Sequence, residues 1–214
     1  MARKDAERRV AEVFGAEGWA DLIRAYAGWT ETYDEDMRSL DMQGPEIVAA
    51  MAARYLRDRE SPILDVGAGT GRVGGLLAIL GYRNLVALDL SDAMLAVARE
   101  TRAYRELRQG ALGEPLSFAD SSFAAVVASG VFTAGHAPPG SFEELLRVTR
   151  PGGLLIFTLS TPAYERGGFR DKFRALEAEG RWRLVEATAP FKALRASIVY
   201  REHTGRVLVF KATR

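Results

Sequence analysis

Apolar residues recur along this chain with two alternating periods. From residue 62 onward, short apolar runs alternate with stretches whose apolar positions fall three and four apart, the pattern of buried strands between amphipathic helices. Residues 62–66, 85–88, 123–128 and 154–159 read as strands, with a weaker one at 104–109. Trp182 to Glu186, Ala196 to Arg201 and Val207 to Ala212 supply three more, with His203-Thr204-Gly205 as a hairpin turn between the last two. Helices fall at 73–80, after the N-cap Ser91 (Met94, Leu95 and Val97 on one face), at 142–148 before Pro151-Gly152-Gly153, and at 169–179. Ahead of the first strand, residues 5–14 and about 19–38 read as helices, and Gly44-Pro45 opens another, with Ile47, Met51 and Tyr55 on one face.

The alternation implies an α/β fold, a mainly parallel sheet with helices on both faces, closed by an antiparallel strand from the terminal hairpin. At 214 residues the chain supplies one substantial core, so a single domain is expected. Residues 61–214 would form that core. Residues 1–60 exceed what a plain connection needs and are expected to form a helical lid across the carboxyl ends of the strands, where open α/β sheets bind ligands.

Composition narrows the chemistry. The net charge of +1 offers no electrostatic case for nucleic acid. Cysteine is absent, which removes disulfides, thiolate nucleophiles and Cys-based zinc sites. His136 and His203, the two histidines, lie far apart in sequence, so no metal is expected. No stretch approaches the ~20 apolar residues needed to span a bilayer. The charged start, Met1 to Arg9, does not read as a signal peptide. The expected location is the cytoplasm.

The densest chemical signal is Ile63-Leu64-Asp65-Val66-Gly67-Ala68-Gly69-Thr70-Gly71-Arg72-Val73-Gly74-Gly75. A buried strand carries an acid near its end, three alternate glycines follow, and a helix begins whose free N–H groups are expected to face a ligand. This is a nucleotide-type site, and two cofactors compete for it. Gly69 to Gly74 match the G-x-G-x-x-G of a dinucleotide enzyme, which makes an NAD(P)-dependent oxidoreductase the rival. Backbone amides in such a loop cradle a pyrophosphate, which a carboxylate at Asp65 would repel. S-adenosylmethionine has no phosphate and carries an ammonium that an acid favours. Asp89, ending the next strand, suits the ribose hydroxyls of either cofactor.

Further blocks follow in order: Leu88-Asp89-Leu90-Ser91-Asp92-Ala93-Met94-Leu95, then Ser122-Phe123-Ala124-Ala125-Val126-Val127, then Leu145-Leu146-Arg147-Val148-Thr149-Arg150-Pro151-Gly152-Gly153. With Asp65-x-Gly67-x-Gly69-x-Gly71 they resemble a class I S-adenosylmethionine-dependent methyltransferase. Tyr26-x-x-Trp29-x-x-x-Tyr33-Asp34 and Gly130 to His136 further resemble the methyltransferase-like proteins of the Williams–Beuren region and their bacterial relatives. The resemblance implies a Rossmann-like sheet of seven strands with the last antiparallel. It implies that Gly67, Ala68, Gly69 and Gly71 form the turn against the methionine end of the cofactor. Asp65 would help to hold the ammonium, often through water. Asp89 would bind ribose, with Leu90 and Met94 against the adenine. Ala111 and Leu112 would lie in the loop after the third strand, where many relatives place an Asp in the position of Ala111. Ser129 and Gly130 would end the fourth strand under the sulfonium, and Tyr33 and Tyr26 would close the lid.

Methyl transfer is an in-line displacement, and a hydroxyl acceptor also needs a base. His136, just beyond the fourth strand, is the candidate; the alternative is a loop histidine bonded to backbone or facing water. The run Ser129-Gly130-Val131-Phe132 lacks the Asn/Asp-Pro-Pro-aromatic motif of nucleic-acid amino-methyltransferases, so a small-molecule acceptor is favoured. A cofactor-binding protein without transfer activity is the non-enzyme rival, given Ala111. Trp29 and Trp182 read as core, Tyr164 as a surface loop residue, and Arg166 to Arg174 as a solvated helix face.

Overall fold

The computed structural model describes residues 2–133 and 135–213. The apolar run of β1 (Ile63–Val66) is buried along its whole length, which suits a strand flanked on both sides. The chain begins with α1 (Ala2–Phe14), α2 (Trp19–Ala27), α3 (Tyr33–Ser39) and α4 (Gly44–Tyr55), and after β1 continues through α5 (Arg72–Ile79), β2 (Leu85–Asp89), α6 (Asp92–Glu100) and β3 (Glu106–Gln109). There follow β4 (Phe123–Phe132), α7 (Ser141–Val148), β5 (Thr149–Ser160), α8 (Thr161–Arg166), α9 (Phe169–Ala178), β6 (Trp182–Ala187), β7 (Phe191–Lys192) and β8 (Thr204–Ala212). Helix starts obey local chemistry. Ser91 Oγ accepts the Met94 N–H at 3.3 Å, and Ser160 Oγ accepts that of Ala163 at 3.3 Å with Pro162 in the first turn.

The strands order β3-β2-β1-β4-β5-β8-β6, and β7 pairs separately with β8. Pairings are parallel from β3 across to β5, and β8 runs antiparallel to β5, β6 and β7. The expected seven strands are thus joined by one two-residue strand, for a sheet of eight. Strand order places the switch point beside β1, between β2 and β4, at the carboxyl ends that hold the glycine turn. Among the described residues, no helix is long and apolar enough to cross a membrane.

Alternate residues of the strands feed opposite faces. On one, α7, α8 and α9 cover an aromatic-rich core in which Trp182 stacks on Phe210 at 3.9 Å between centroids. On the other, α4 and α5 pack Val48, Ala49, Met51 and Leu77 onto Ile63, Leu85 and Val127. A separate apolar cluster joins α1, α2 and α3 to Leu194 and Leu90. Within residues 1–60, therefore, α1–α3 form this outer cluster and α4 lies on the sheet.

Three local expectations are corrected. The helix read over 19–38 is broken into α2 and α3. Thr30 Oγ1 turns back to the Tyr26 carbonyl at 2.8 Å, and the Trp29 indole N–H reaches the buried Asp36 carboxylate at 2.7 Å. Ala196 to Arg201 is not a strand. The backbone N–H of Ile198 and the hydroxyl of Ser197 are taken by Glu7, at 2.9 and 2.6 Å, and Ser197 Oγ accepts the Tyr200 N–H. Thr204 and Gly205 accordingly belong to β8, facing Lys192 and Phe191 of β7, and are not turn residues. Finally, Pro151-Gly152-Gly153 forms a bulge within β5, where the β4 register jumps, and does not merely end α7.

Candidate active site

The turn after β1 requires glycine at two points. Gly67 has φ +64, and a Cβ there would stand 2.3 Å from Val131 Cγ2; Gly69 has φ +55. Several amides of this turn are spent internally. Gly67 and Ala68 both donate to the Leu88 carbonyl, at 2.7 and 3.1 Å. Gly69 donates to Asp89 Oδ2 at 2.8 Å, and Ser91 to Asp89 Oδ1 at 2.8 Å. At α5, the Gly74 N–H donates to the Tyr104 hydroxyl at 3.1 Å. The expected free N–H groups at these positions are therefore engaged, because the Leu88 carbonyl, the Asp89 carboxylate and the Tyr104 hydroxyl lie close enough to accept them. A pyrophosphate would find neither these donors nor a compensating cation here.

Tyr26, Tyr33, Gly67, Gly69, Asp89, Leu90, Met94, Ala111, Leu112, Ser129, Gly130 and His136 line one cavity over the ends of β1, β2 and β4. It encloses about 820 Å³ of free space, its open mouth included. Trp19, Leu22 and Ile23 of α2, with Val131 and Ala137, complete the wall. They were not singled out in the sequence, where an amphipathic helix looks the same whether it covers a core or a ligand. Asp65, Ala68 and Gly71 stand behind this wall. Ala68 packs on Ala87 and Leu95, and Gly71 caps α5 against Tyr104 and Ala98.

Asp65 is 1% exposed. Its Oδ2 accepts the Tyr104 hydroxyl at 2.5 Å, and its Oδ1 is buried without a hydrogen-bond partner. Burial pushes its carboxyl up to about 7, against the Tyr104 hydrogen bond and with the Asp89 charge adding to the rise. Asp65 is thus only partly ionised at neutral pH, contrary to the fixed carboxylate that the sequence had implied. Tyr104, which bonds its Oδ2, had no signal in the sequence. Burial also raises Asp89, while the amides of Ser91 and Gly69 pull it down.

The lid reaches the turn directly. Asp34 accepts the Thr70 hydroxyl at 2.7 Å, and Arg72 reaches the Met42 carbonyl at 3.2 Å as well as the Glu46 carboxylate. Tyr33 is pushed up to about 12 by burial and by the charges of Asp34 and Asp89. Tyr26, raised well above the ordinary tyrosine range chiefly by burial, stays protonated, and its hydroxyl lies 2.9 Å from His136 Nε2. Trp29 is buried, as expected, and stacks beside Tyr26.

A second cavity, with about 890 Å³ of free space, adjoins the first. The two share Tyr26, Tyr33, Ser129, Gly130 and His136 as a common wall. His203, distant from His136 in sequence, lines this second cavity too.

The orphaned buried carboxylate oxygen beside a turn whose Gly67, Ala68 and Gly69 amides are already engaged fits an ammonium-bearing nucleoside. Sheet order, glycine turn and acid pair together define the Rossmann-like fold of class I, S-adenosylmethionine-dependent methyltransferases. Residues 64–157 match the family model described as "Methyltransferase domain". It is 32% identical over 160 residues to the human methyltransferase-like protein 27, covering 73% of this chain and 65% of that protein. It is 32% identical over 148 residues to the malonyl-[acyl-carrier protein] O-methyltransferase of Pectobacterium atrosepticum, covering 69% of this chain and 55% of that one. The chain thus spans less than two thirds of these relatives' lengths. Among solved structures, the [4+2]-cyclase SpnF superposes with a TM-score of 0.63 at 17% identity, over 79% of this chain and 80% of its own.

Proposed function

We propose that this chain transfers the methyl group of S-adenosylmethionine to a small-molecule acceptor, in the cytoplasm, as a single domain whose first 60 residues include the lid. One observation carries the proposal: two cavities meet at a shared wall of Tyr26, Tyr33, Ser129, Gly130 and His136. One would take the cofactor and the other the acceptor, so the reacting atoms would meet at that wall.

When bound, the cofactor supplies an electrophilic methyl on a cationic sulfur leaving group. Asp89 would hold the ribose, Leu90 and Met94 the adenine, and Gly67 and Gly69 the methionine backbone. Asp65, behind the turn, favours the ammonium once deprotonated. Ala111 offers no carboxylate to the adenine amino group, so that contact falls to backbone or water. Tyr26 and Tyr33 close the site and exclude water. His136 takes the proton of a hydroxyl acceptor, and Tyr26 orients its imidazole through the 2.9 Å contact at Nε2.

Calorimetric titration with S-adenosylmethionine, S-adenosylhomocysteine and NAD(P) tests the cofactor. Uptake of the sulfur nucleosides is expected; preference for NAD(P) would overturn the proposal. The superposition on a cyclase keeps a second reading in play, a methyltransferase fold that binds the nucleoside without transferring its methyl. Tight uptake without consumption of donor across a broad acceptor panel would favour it.

A further inference from the structure

The second cavity has a chemistry of its own. Val13 and Phe14 from α1, Trp29 and Met37 from the lid, and Phe132 and Leu194 supply much of its wall. Among the described residues, no Asp, Glu, Lys or Arg lines it. This is unusual for a chain that is 27% charged overall, and with His136 and His203 neutral it leaves an entering ion without a counter-charge.

Three of its hydroxyls already have partners in the protein. Thr158 Oγ1 accepts the Gly130 N–H at 2.8 Å, Ser160 Oγ accepts the Ala163 N–H at 3.3 Å, and Thr204 pairs with Thr161 at 2.8 Å. The two imidazoles flank Phe14, with ring centroids 6.2 Å from it for His136 and 5.6 Å for His203. A molecule entering here meets aromatic and aliphatic surface along its length and polar groups at a few points. Such a wall rewards apolar area and penalises charge, because an ion gives up its hydration for hydrocarbon.

Resting on the methyl-transfer proposal above, we infer that the acceptor is an uncharged molecule with an apolar, ring-sized body. Free carboxylic acids and ammonium-bearing amines are excluded from the cavity. The selection lies in the second cavity alone, since Asp89 on the cofactor side is the one charged side chain lining either cavity among the described residues.

Protein loaded with S-adenosylhomocysteine, titrated by calorimetry with naphthol, naphthoate and naphthylmethylammonium, tests this. The three probes share a ring and differ in charge. Naphthol is expected to bind at least about tenfold more tightly than either ion. An equal or tighter constant for either ion, or no uptake of naphthol, overturns the inference. Failure to take up S-adenosylhomocysteine in the loading step overturns the methyl-transfer proposal instead. Ala193→Trp puts a large ring into the wall of the second cavity, away from the first. It is expected to abolish naphthol binding and to leave the affinity for S-adenosylhomocysteine unchanged. Undiminished naphthol binding in this variant would place the probe outside the cavity and overturn the inference.

Discussion

Asp65→Asn isolates the cost of burying one carboxylate. In the folded protein Asp65 holds its proton up to about pH 7, whereas its ordinary value is 3.8. Over the interval between these values the folded state binds more protons at this site than the unfolded state. Unfolding free energy therefore falls as pH rises through it, by about 1.4 kcal/mol per pH unit, and levels off above the folded value. From roughly pH 5 to pH 8 the wild type should lose about 3 kcal/mol through this group. The amide does not titrate. It retains a carbonyl for the Tyr104 hydroxyl but places its NH₂ where Oδ1 has no partner, a fixed cost of about 1–3 kcal/mol. The difference in stability between variant and wild type should thus swing toward the variant by about 3 kcal/mol between roughly pH 5 and pH 8. All other titrating groups are common to both proteins and cancel. Urea unfolding followed by tryptophan fluorescence across that range measures the swing. Parallel wild-type and variant curves would refute the reasoning, since they would mean that Asp65 titrates alike folded and unfolded.

The same proton should appear in binding. Wild-type affinity for S-adenosylhomocysteine, by calorimetry, is expected to rise from about pH 5.5 to pH 7.5 as Asp65 ionises, and to be flat in Asp65→Asn; a matching slope in both would assign the effect elsewhere. Asp89→Ala strands the amides of Gly69 and Ser91 and removes the proposed ribose acceptor, so cofactor affinity should weaken by about 1–3 kcal/mol. Unchanged affinity would mean that ribose is held elsewhere. His136→Ala should lower turnover by about 10²–10⁴-fold, far more than it lowers cofactor affinity; wild-type rates would remove it from the mechanism. Gly74→Ala puts a Cβ 2.2 Å from the Tyr104 ring, so Tyr104 must leave Asp65 at a cost of about 1–3 kcal/mol in a urea midpoint. Gly75→Ala, one position on with nothing within 4 Å, should be neutral or stabilising; similar losses for both would indict the helix and not the Tyr104 contact.

What could be read directly from the chain was local. The β1 run, the glycine turn, Asp89 at the end of β2 and the Ser91 cap all depend on residues a few positions apart, and periodicity and capping report on such neighbours. Eleven of the residues assigned to the cofactor line one cavity, together with His136. The break between α2 and α3 was hidden because the spacing of Tyr26, Trp29 and Tyr33 is helical, while Asp36 decides where the Trp29 indole goes. The tail misled for a related reason. Residues 196–201 alternate like a strand, yet Glu7, at the other end of the chain, takes their donors.

Tertiary structure alone decided three features of the site. It buried Asp65 and so raised that acid's pKa to about 7, against the pull of the Tyr104 hydrogen bond. It gathered α1, the lid and residues 191–205 into a second cavity free of acidic and basic side chains among the described residues, and it brought both His203 and His136 against Phe14. The physical reason is common to all three. Covalent neighbours dictate whether a stretch coils or extends, but the dielectric, the hydrogen-bond partners and the empty space around a side chain come from segments that sheet order and packing bring together.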